Sequence, residues 1–360
     1  MNKIPPLYQE WLSLLPLNET VEREINQQFM IDFNYNSNHL EGNTLTYGQT
    51  KLLLLFGEVM GRASMQDLEE MRAHNVGLQW LKTKAKDTDF HLTESFIREL
   101  NRVILVRNYF KTSRNGDYRY EIRVGVYKKR PNSVITLSGE IFNYASIEET
   151  PSLMNDLLQW YRNEEKKGEL RIEELAAIFH YRFIRIHPFE DGNGRIARLI
   201  VNYILARHNY PMIVIRSDDR NNYLAALREC DLLSGQIPFD GANATIDQVK
   251  PLTNYISKIL EKKLEAIVKY VKGEITFLSE TKDNEIKIER NVSVNVSVNV
   301  SVKNKIKEII VQNPCLSAKE MATIISVSQR TIHRNIEILK KENLIERVGS
   351  DKTGYWKVKF

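Results

Sequence analysis

The sequence has 360 residues, 42% of them hydrophobic and 27% charged, and a formal net charge of +5 at pH 7. This composition is typical of an ordinary soluble protein with two or three folded parts. No stretch approaches the ~18 consecutive apolar residues of a membrane span, and MNKIPPLYQE lacks a signal-peptide core, so we expect a cytoplasmic protein. Cys230 and Cys315 lie far apart without a CxxC pair, which argues against a disulfide framework or a zinc site. The mild positive charge permits nucleic-acid contact without requiring it.

Residues 1–110 form the first predicted region, and their periodicity is mostly helical. Apolar-periodic stretches run from Thr20 to about Leu40, through QTKLLLLFGEVM, and through ESFIRELNRVIL. Thr93 precedes the last stretch and is its predicted N-cap.

Residues 111–272 form the second predicted region, which begins where the helical periodicity gives way to strand-like alternation. Residues 114–138, RNGDYRYEIRVGVYKKRPNSVITLS, alternate apolar and polar residues around the turn-like KKRPNS and predict a β-hairpin. Helices follow in TPSLMNDLLQWYRNEE, where Thr150 is a predicted N-cap and Pro151 stands in the first turn, and in RIEELAAIFHYRFIRI. Another helix is predicted from roughly Asn193 to His208, and more follow to about Lys272.

Residues 273–304 form a predicted linker, and residues 305–360 a predicted winged helix-turn-helix. The linker contains the repeat NVSVNVSVNVSV, whose period resembles a strand. The last region shows IKEIIVQNP, SAKEMATIIS and SQRTIHRNIEILKKENLI as three short helices, a Val-Ser turn before the third, and two strands around GSDKTG. Four residues near the start of its third helix should be exposed: Gln329, Arg330, His333 and Arg334. Such a module serves either DNA contact or protein contact, and the sequence leaves both open.

The segment HPFEDGNGRIAR, residues 187–198, carries the most chemical information in the sequence. Pro188 cannot continue the preceding helix and keeps His187 out of the α-helical region, so the imidazole projects from a loop. Gly192 and Gly194 let the backbone approach a ligand closely. The free N–H groups and the dipole at the start of the next helix then make an anion cradle.

Three side chains complete this cradle. Arg195 and Arg198 stand three residues apart and project from nearly the same helix face, which supplies two forked cationic groups. A polyphosphate would fit this arrangement. Asp191 precedes the helix, and one carboxylate beside a phosphate cradle is the usual minimum for Mg²⁺.

The same segment matches the pattern HPFx[D/E]GNGRxxR at every defining position, so the chain resembles the Fic family over roughly residues 20–260. The resemblance implies a mainly α fold, a helical bundle with a β-hairpin flap, here followed by the winged helix-turn-helix. It also implies protein AMPylation, in which AMP passes from ATP to a Ser, Thr or Tyr hydroxyl of a target, or of the chain itself, and pyrophosphate leaves. The flap, matched to residues 120–137, would hold the target segment as an added strand.

The resemblance implies a role for each residue of the motif. His187 would be the general base, and Asp191 would hold Mg²⁺ between the α- and β-phosphates. The groups that would steady the developing charge are Gly192, Asn193, Gly194 and Arg195. Arg198 would clamp the γ-phosphate, and Tyr223 lies near where the family packs the adenine. Asp231 stands where family members often carry asparagine, which is a departure from the pattern.

SNHLEGN, residues 37–43, places Glu41 just before Gly42, a predicted helix stop, although the end of a helix disfavours an anion. The stretch resembles the [S/T]xxxE[G/N] inhibitory motif of some Fic proteins, with Ser37 and Glu41 one helical turn apart. The resemblance implies that Glu41 pairs with Arg198, so that ATP binds in a pose unsuited to transfer.

Two other functions remain open from the sequence. One is a Fic-fold enzyme with other phosphate chemistry, such as the removal of AMP. The other is a DNA-binding regulator in which the Fic domain senses a nucleotide. In each case ATP or a related nucleotide is the expected small molecule, no membrane partner is expected, and the sequence leaves homodimer formation open.

Overall fold

A computed structural model describes residues 3–113, 116–132, 134–135, 141–275, 303, 306–307, 309–310, 314, 316–325, 329–349 and 355–359. The chain divides into two compact units, residues 1–274 and residues 275–360. The helical region 1–110 and the core 111–272 both belong to the first unit. The NVSV repeat lies outside the described residues.

Helices build most of the first unit, so the predicted mainly α fold is confirmed. In chain order they are α1 (Ile4–Ser13), α2 (Glu19–His39), α3 (Tyr47–Phe56), α4 (Met65–Lys86), α5 (Glu94–Leu105), α6 (Thr150–Lys167), α7 (Ile172–Ile186), α8 (Asn193–Arg207), α9 (Arg220–Ser234), α10 (Pro238–Ala242) and α11 (Lys250–Val271). None of the helices in the described part of the chain is both long enough and apolar enough to cross a membrane.

Local signals account for several helix ends. The Thr93 side chain accepts a hydrogen bond from the Phe96 N–H and caps α5, as predicted. Thr46 and Gln49 form a reciprocal capping box at the start of α3. Helix α3 ends at Gly57, whose φ of 72° is left-handed, so the predicted continuation through GEVM is not helical.

Three helices differ from the sequence predictions, and one of them is α1, which the predicted stretches do not include. Helix α4 was not singled out, because polar His74 interrupts the apolar pattern of its buried face, which Met71, Leu78 and Leu81 otherwise supply. Helix α6 begins at Thr150 itself, where Thr150 was predicted to be the cap.

The predicted hairpin around KKRPNS is wrong. Two short antiparallel pairs are present instead: β1 (Tyr109–Thr112) with β2 (Arg119–Ile122), and β3 (Val134–Ile135) with β4 (Ile141–Phe142). The predicted flap, 120–137, therefore combines β2 and β3, which do not pair with each other. The KKRPN part bonds to the main chain of the 187–198 motif, so it cannot also turn two strands back on each other.

Helix α8 lies at the centre of the first unit. Twelve of its 15 residues are buried, because α2, α4, α5 and α7 all pack against it. Helix α11 packs on α1, α7 and α9 and closes the other side of α7. The motif helix α8 is thus fixed from several directions, and its first turn is the part left to meet a ligand.

The second unit has the elements of a winged helix-turn-helix. Its described elements are α12 (Ala318–Ile325), α13 (Gln329–Lys341), and the antiparallel strands β5 (Ile345–Val348) and β6 (Tyr355–Val358). Its buried core includes Ile306, Met321, Ile332 and Trp356. The prediction of four exposed residues near the start of α13 is confirmed. They are Gln329, Arg330, His333 and Arg334. The Val-Ser turn and most of GSDKTG lie outside the described residues.

Candidate active site

His187 sits at a sharp turn that ends α7. Its backbone is left-handed, with φ 51° and ψ 60°, and its N–H donates to the Phe183 carbonyl at 2.9 Å. Pro188 follows directly and has no N–H to continue the helix. The prediction that His187 leaves the α-helical region and projects from a loop is therefore confirmed.

The imidazole of His187 is oriented by two neighbours. Its Nδ1 lies 3.2 Å from the Ile184 carbonyl, which can only accept, so Nδ1 carries the proton. The Tyr144 ring stacks on it with centroids 4.0 Å apart. Burial lowers the pKa of His187 to about 4, and the nearby Lys128 ammonium acts in the same direction. At neutral pH the imidazole is uncharged, with Nε2 free to accept a proton.

Asn193 fixes the turn between His187 and α8. Its side-chain oxygen accepts from the Phe189 N–H at 3.0 Å, and its amide nitrogen donates to the Phe189 carbonyl at 2.7 Å. The side chain is buried and both of its ends are bonded to the main chain. This group therefore shapes the turn, and the contact of the Asn193 side chain with developing charge stays a prediction.

Gly192 and Gly194 open space at the start of α8. Gly192 has a left-handed φ of 85°, and a Cβ there would meet the Asn101 amide at 3.1 Å. A Cβ on Gly194 would lie 2.3 Å from Glu41 Oε1. The Glu41 carboxylate thus lies against the first turn of α8, where backbone N–H groups lack helical partners and an anion is favoured.

Arg198 binds the end of α2, and the predicted ion pair with Glu41 is confirmed. Its Nη2 lies 2.6 Å from Glu41 Oε1 and 2.8 Å from the Ser37 carbonyl, and its Nε donates to Ser37 Oγ at 3.0 Å. Burial acts to raise the pKa of Glu41, but Arg198 outweighs it and the net shift is downward. The Arg198 side chain is 4% exposed and that of Glu41 34% exposed.

Asp191 is engaged by cations and by a phenol. Tyr109 and Lys111 of β1 both donate to its Oδ2, and Arg195 lies 3.5 Å from Oδ1. Burial alone would raise the pKa of Asp191, but Lys111 and Arg195 lower it to about 2. Arg195 also contacts Glu70 at 3.4 Å. Within the described ranges, no group of three or more His, Cys, Asp or Glu residues could hold a metal.

Tyr223 does not present an open face. Its side chain is 4% exposed, and its hydroxyl lies 2.9 Å from His180 Nε2 beneath Arg198. The buried ring has no exposed face for direct contact with a nucleotide, which corrects the predicted nucleotide-binding role of Tyr223. Asp231, the noted departure from the family pattern, bonds the Tyr181 hydroxyl at 2.9 Å and pairs with Arg185 at 3.1 Å.

Several residues around the motif had no prediction from the sequence. Asn101 donates to the Asp191 carbonyl at 2.9 Å. Tyr109 and Lys111, two apart on β1, share a strand face and reach Asp191, and that alternation was the available signal. Lys128 and Asn132 bond to the main chain of the motif, a contact between distant segments that no local pattern announces.

Two family models match the chain: the Fic/DOC family over residues 91–205 and an HTH domain over residues 302–355. Among curated proteins, protein adenylyltransferase fic-1 of Caenorhabditis elegans is 25% identical over 276 residues, which is 76% of this chain and 48% of that protein. Its namesake in Caenorhabditis briggsae is 26% identical over 252 residues, 70% of this chain and 44% of that protein. The chain thus spans about half the length of the curated relatives it matches.

Solved structures give a fuller match. A Fic domain containing signaling protein from Bacteroides thetaiotaomicron is 56% identical with a TM-score of 0.72, and the match covers 77% of this chain and 99% of that one. A Fic family protein from Desulfovibrio desulfuricans G20 is 18% identical with a TM-score of 0.51, covers 99% of this chain and 95% of that one, and bears on the fold alone. With the Bacteroides protein matched over nearly its whole length, the chain belongs to the Fic family.

Proposed function

We propose that this chain transfers AMP from ATP to a Ser, Thr or Tyr hydroxyl of a target protein, or of itself. One observation carries the proposal. An uncharged His187, with Nε2 unprotonated, lies a few residues before the first turn of α8, which is suited to bind an anion. The name protein adenylyltransferase, borne by the curated relatives, supports the same reaction.

In this reaction His187 Nε2 takes the proton of the target hydroxyl while its oxygen attacks the α-phosphorus. The new P–O bond forms as the bond from the α-phosphorus to the bridging oxygen breaks, and pyrophosphate leaves. The proton stays on the imidazole until solvent removes it. Amides of the first turn of α8 and the Arg195 guanidinium offset the negative charge that builds up.

Asp191 is the residue that would hold Mg²⁺. It offers one carboxylate beside the cradle, which fits an ion that keeps several waters and takes other oxygens from phosphates. When bound, the ion would neutralise part of the charge of the phosphates. Lys111 and Tyr109 now bond to that carboxylate, so they would have to give up Oδ2 when the ion binds.

Glu41 would inhibit this reaction. Its carboxylate occupies both the first turn of α8 and the Arg198 guanidinium, two groups that the ATP phosphates need. An anion already in the cradle repels a triphosphate and removes the cation expected to hold its γ-phosphate. ATP would then bind in a pose from which the α-phosphorus is out of line with the target hydroxyl.

The target segment would lie along β3 and β4. Tyr144, two residues beyond β4, stacks on His187 and packs edge-on against Phe142 of β4 at 5.4 Å. A strand added to this short pair would pass close to His187 Nε2. This pair would therefore take the role that the sequence assigned to 120–137.

ATP labelled at the α-phosphate tests the reaction most sharply. The Glu41→Gly chain, incubated with Mg²⁺, is expected to retain α-label on protein but not γ-label, and the Glu41→Gly, His187→Ala chain neither. Retention of γ-label would indicate phosphorylation. Release of AMP from a modified protein without transfer would favour the alternative of AMP removal.

The winged helix-turn-helix exposes two basic residues, Arg330 and Arg334, near the start of α13. We propose separately that the face of α13 carrying these residues contacts duplex DNA, with protein contact as the competing outcome. Binding to DNA should weaken steeply as salt rises, and lack of binding at low salt would exclude the proposal.

A further inference from the structure

The segment from Lys128 to Asn132 bonds to four consecutive carbonyls, from Ile186 at the end of α7 to Phe189 in the loop that follows. Lys128 Nζ donates to the Ile186 carbonyl at 3.0 Å, and the Lys128 N–H donates to the Pro188 carbonyl at 2.8 Å. Asn132 Nδ2 donates to the carbonyls of His187 at 3.1 Å and Phe189 at 2.9 Å. Each of the four carbonyls from Ile186 to Phe189 thus accepts a hydrogen bond from this segment.

Lys128 is a buried lysine. Its residue is 2% exposed, and its Nζ also donates to Asn132 Oδ1 at 3.1 Å, so the two residues are bonded to each other as well as to the loop. Burial lowers the pKa of Lys128 to about 8, which still leaves the ammonium mostly charged at neutral pH. A buried charge is costly, and the two oxygens that the ammonium contacts, the Ile186 carbonyl and Asn132 Oδ1, offset part of that cost.

The left-handed backbone of His187 needs such support. A non-glycine residue in this region is strained, and it persists where surrounding bonds fix it. The charged groups acting on the imidazole are Lys128, Glu41 and Asp191, and Tyr144 covers one ring face. Lys128 is the cation among them.

We propose that Lys128 and Asn132 are positioning residues of the transfer reaction, because together they hold the His187 turn through the carbonyls from Ile186 to Phe189. The positive charge of Lys128 also disfavours a second proton on the imidazole. This inference rests on the proposed role of His187 as a base. Asn132 acts through geometry alone, because it is neutral, whereas Lys128 acts through geometry and charge. The two residues can therefore be separated by experiment.

A direct titration of His187 tests the charge without any assay of activity. Histidine Cε1–H signals of the full-length chain would be followed against pH by NMR, with the His187 signal assigned by its loss in His187→Gln. In Lys128→Gln and Lys128→Met, both uncharged, we expect the His187 pKa to rise by on the order of one pH unit. Lys129→Gln is the matched control: it removes a neighbouring exposed lysine and should move the pKa by less than about 0.3 units.

The outcomes separate cleanly. An unchanged His187 pKa in a folded Lys128→Gln or Lys128→Met chain would overturn the charge role. If the His187 pKa rose equally in Lys129→Gln, the effect would come from surface charge in general and the specific role of Lys128 would be overturned. Either result is independent of whether AMP transfer occurs, so failure of the proposed function would be seen separately.

Asn132→Ala tests the geometric role. In the Glu41→Gly background it should lower kcat for transfer by about tenfold or more while the His187 pKa stays within error of the parent chain. A kcat equal to that of the parent would overturn the positioning role of Asn132. Asn132→Leu, which loses the donor but keeps much of the side-chain volume and stays neutral, should reproduce the loss.

Discussion

The His187 turn and the tip of α2 lie close to the same first turn of α8, but they are held there in different ways. The carbonyls from Ile186 to Phe189 all accept hydrogen bonds from buried or half-buried groups of a distant segment. Asn193 adds two more bonds to the same loop. The turn is thus fixed through its main chain, and no single side chain facing solvent controls it.

The Glu41 carboxylate at the tip of α2 is held by one ion pair, with Arg198, whereas the turn after it is bonded to α4 through Asn43 and Thr44. The helix itself is firmly packed, with Ser37 buried and bonded to both Arg198 and His74. Beyond it the chain turns through Gly42, at φ 97°, into open space where a Cβ would meet nothing within 4 Å. Glu41 reaches the cradle from this turn, and it is 34% exposed while Arg198 is 4% exposed.

This difference shows which part of the site can change state. A turn held by many main-chain bonds is expected to stay formed whether or not ATP is present. A partly exposed carboxylate held by one ion pair can leave when its side chain rotates, and its departure exposes a cation that is already positioned. Under the proposed function, the chain would therefore combine a permanent base with a removable block.

Removal of Glu41 should have the largest effect. Glu41→Gly frees Arg198 and the first turn of α8 together, so we expect transfer of α-label to rise on the order of tenfold or more. Glu58→Gly, which changes an exposed glutamate in the loop after α3, is the matched control and should leave the rate unchanged. A rate for Glu41→Gly equal to wild type would mean that the tip of α2 does not block the site.

Removal of the Lys111 ammonium should have a smaller effect, on metal binding. Lys111→Met deletes a cation that now bonds to Asp191, so Mn²⁺ used as a probe for Mg²⁺ should bind about three- to tenfold more tightly. Electron paramagnetic resonance of free Mn²⁺ in titrations without nucleotide would measure this. Lys129→Met is the control, and weaker Mn²⁺ binding by Lys111→Met than by that control would contradict the competition.

The sequence predicted much of the site because its chemistry is compact. His187, Asp191, Arg195 and Arg198 fall within twelve residues, and a proline, two glycines and a helix start determine how they are presented. The Glu41 and Arg198 pair spans the chain, yet it could be anticipated from the family motif and from a carboxylate placed at a helix end.

The missed parts depend on contacts between distant segments. KKRPNS has the composition of a turn, and only the folded chain shows that Lys128 and Asn132 bond to the motif loop. Tyr223 was expected to meet adenine, but burial under Arg198 directs its hydroxyl to His180. Asn193 has polar groups suited to phosphate, and only the structure shows both ends bonded to Phe189. Composition and residue spacing do not predict such contacts between distant segments.

One comparison of three chains tests the removable block most directly: initial rates of α-label transfer by wild type, Glu41→Gly, and Glu41→Gly with Arg198→Ala. If Glu41 acts by occupying Arg198, the single variant should exceed wild type, and the double variant should fall to the wild-type rate or below it. A double variant as active as Glu41→Gly would show that Arg198 is not the group Glu41 blocks, and would contradict the account.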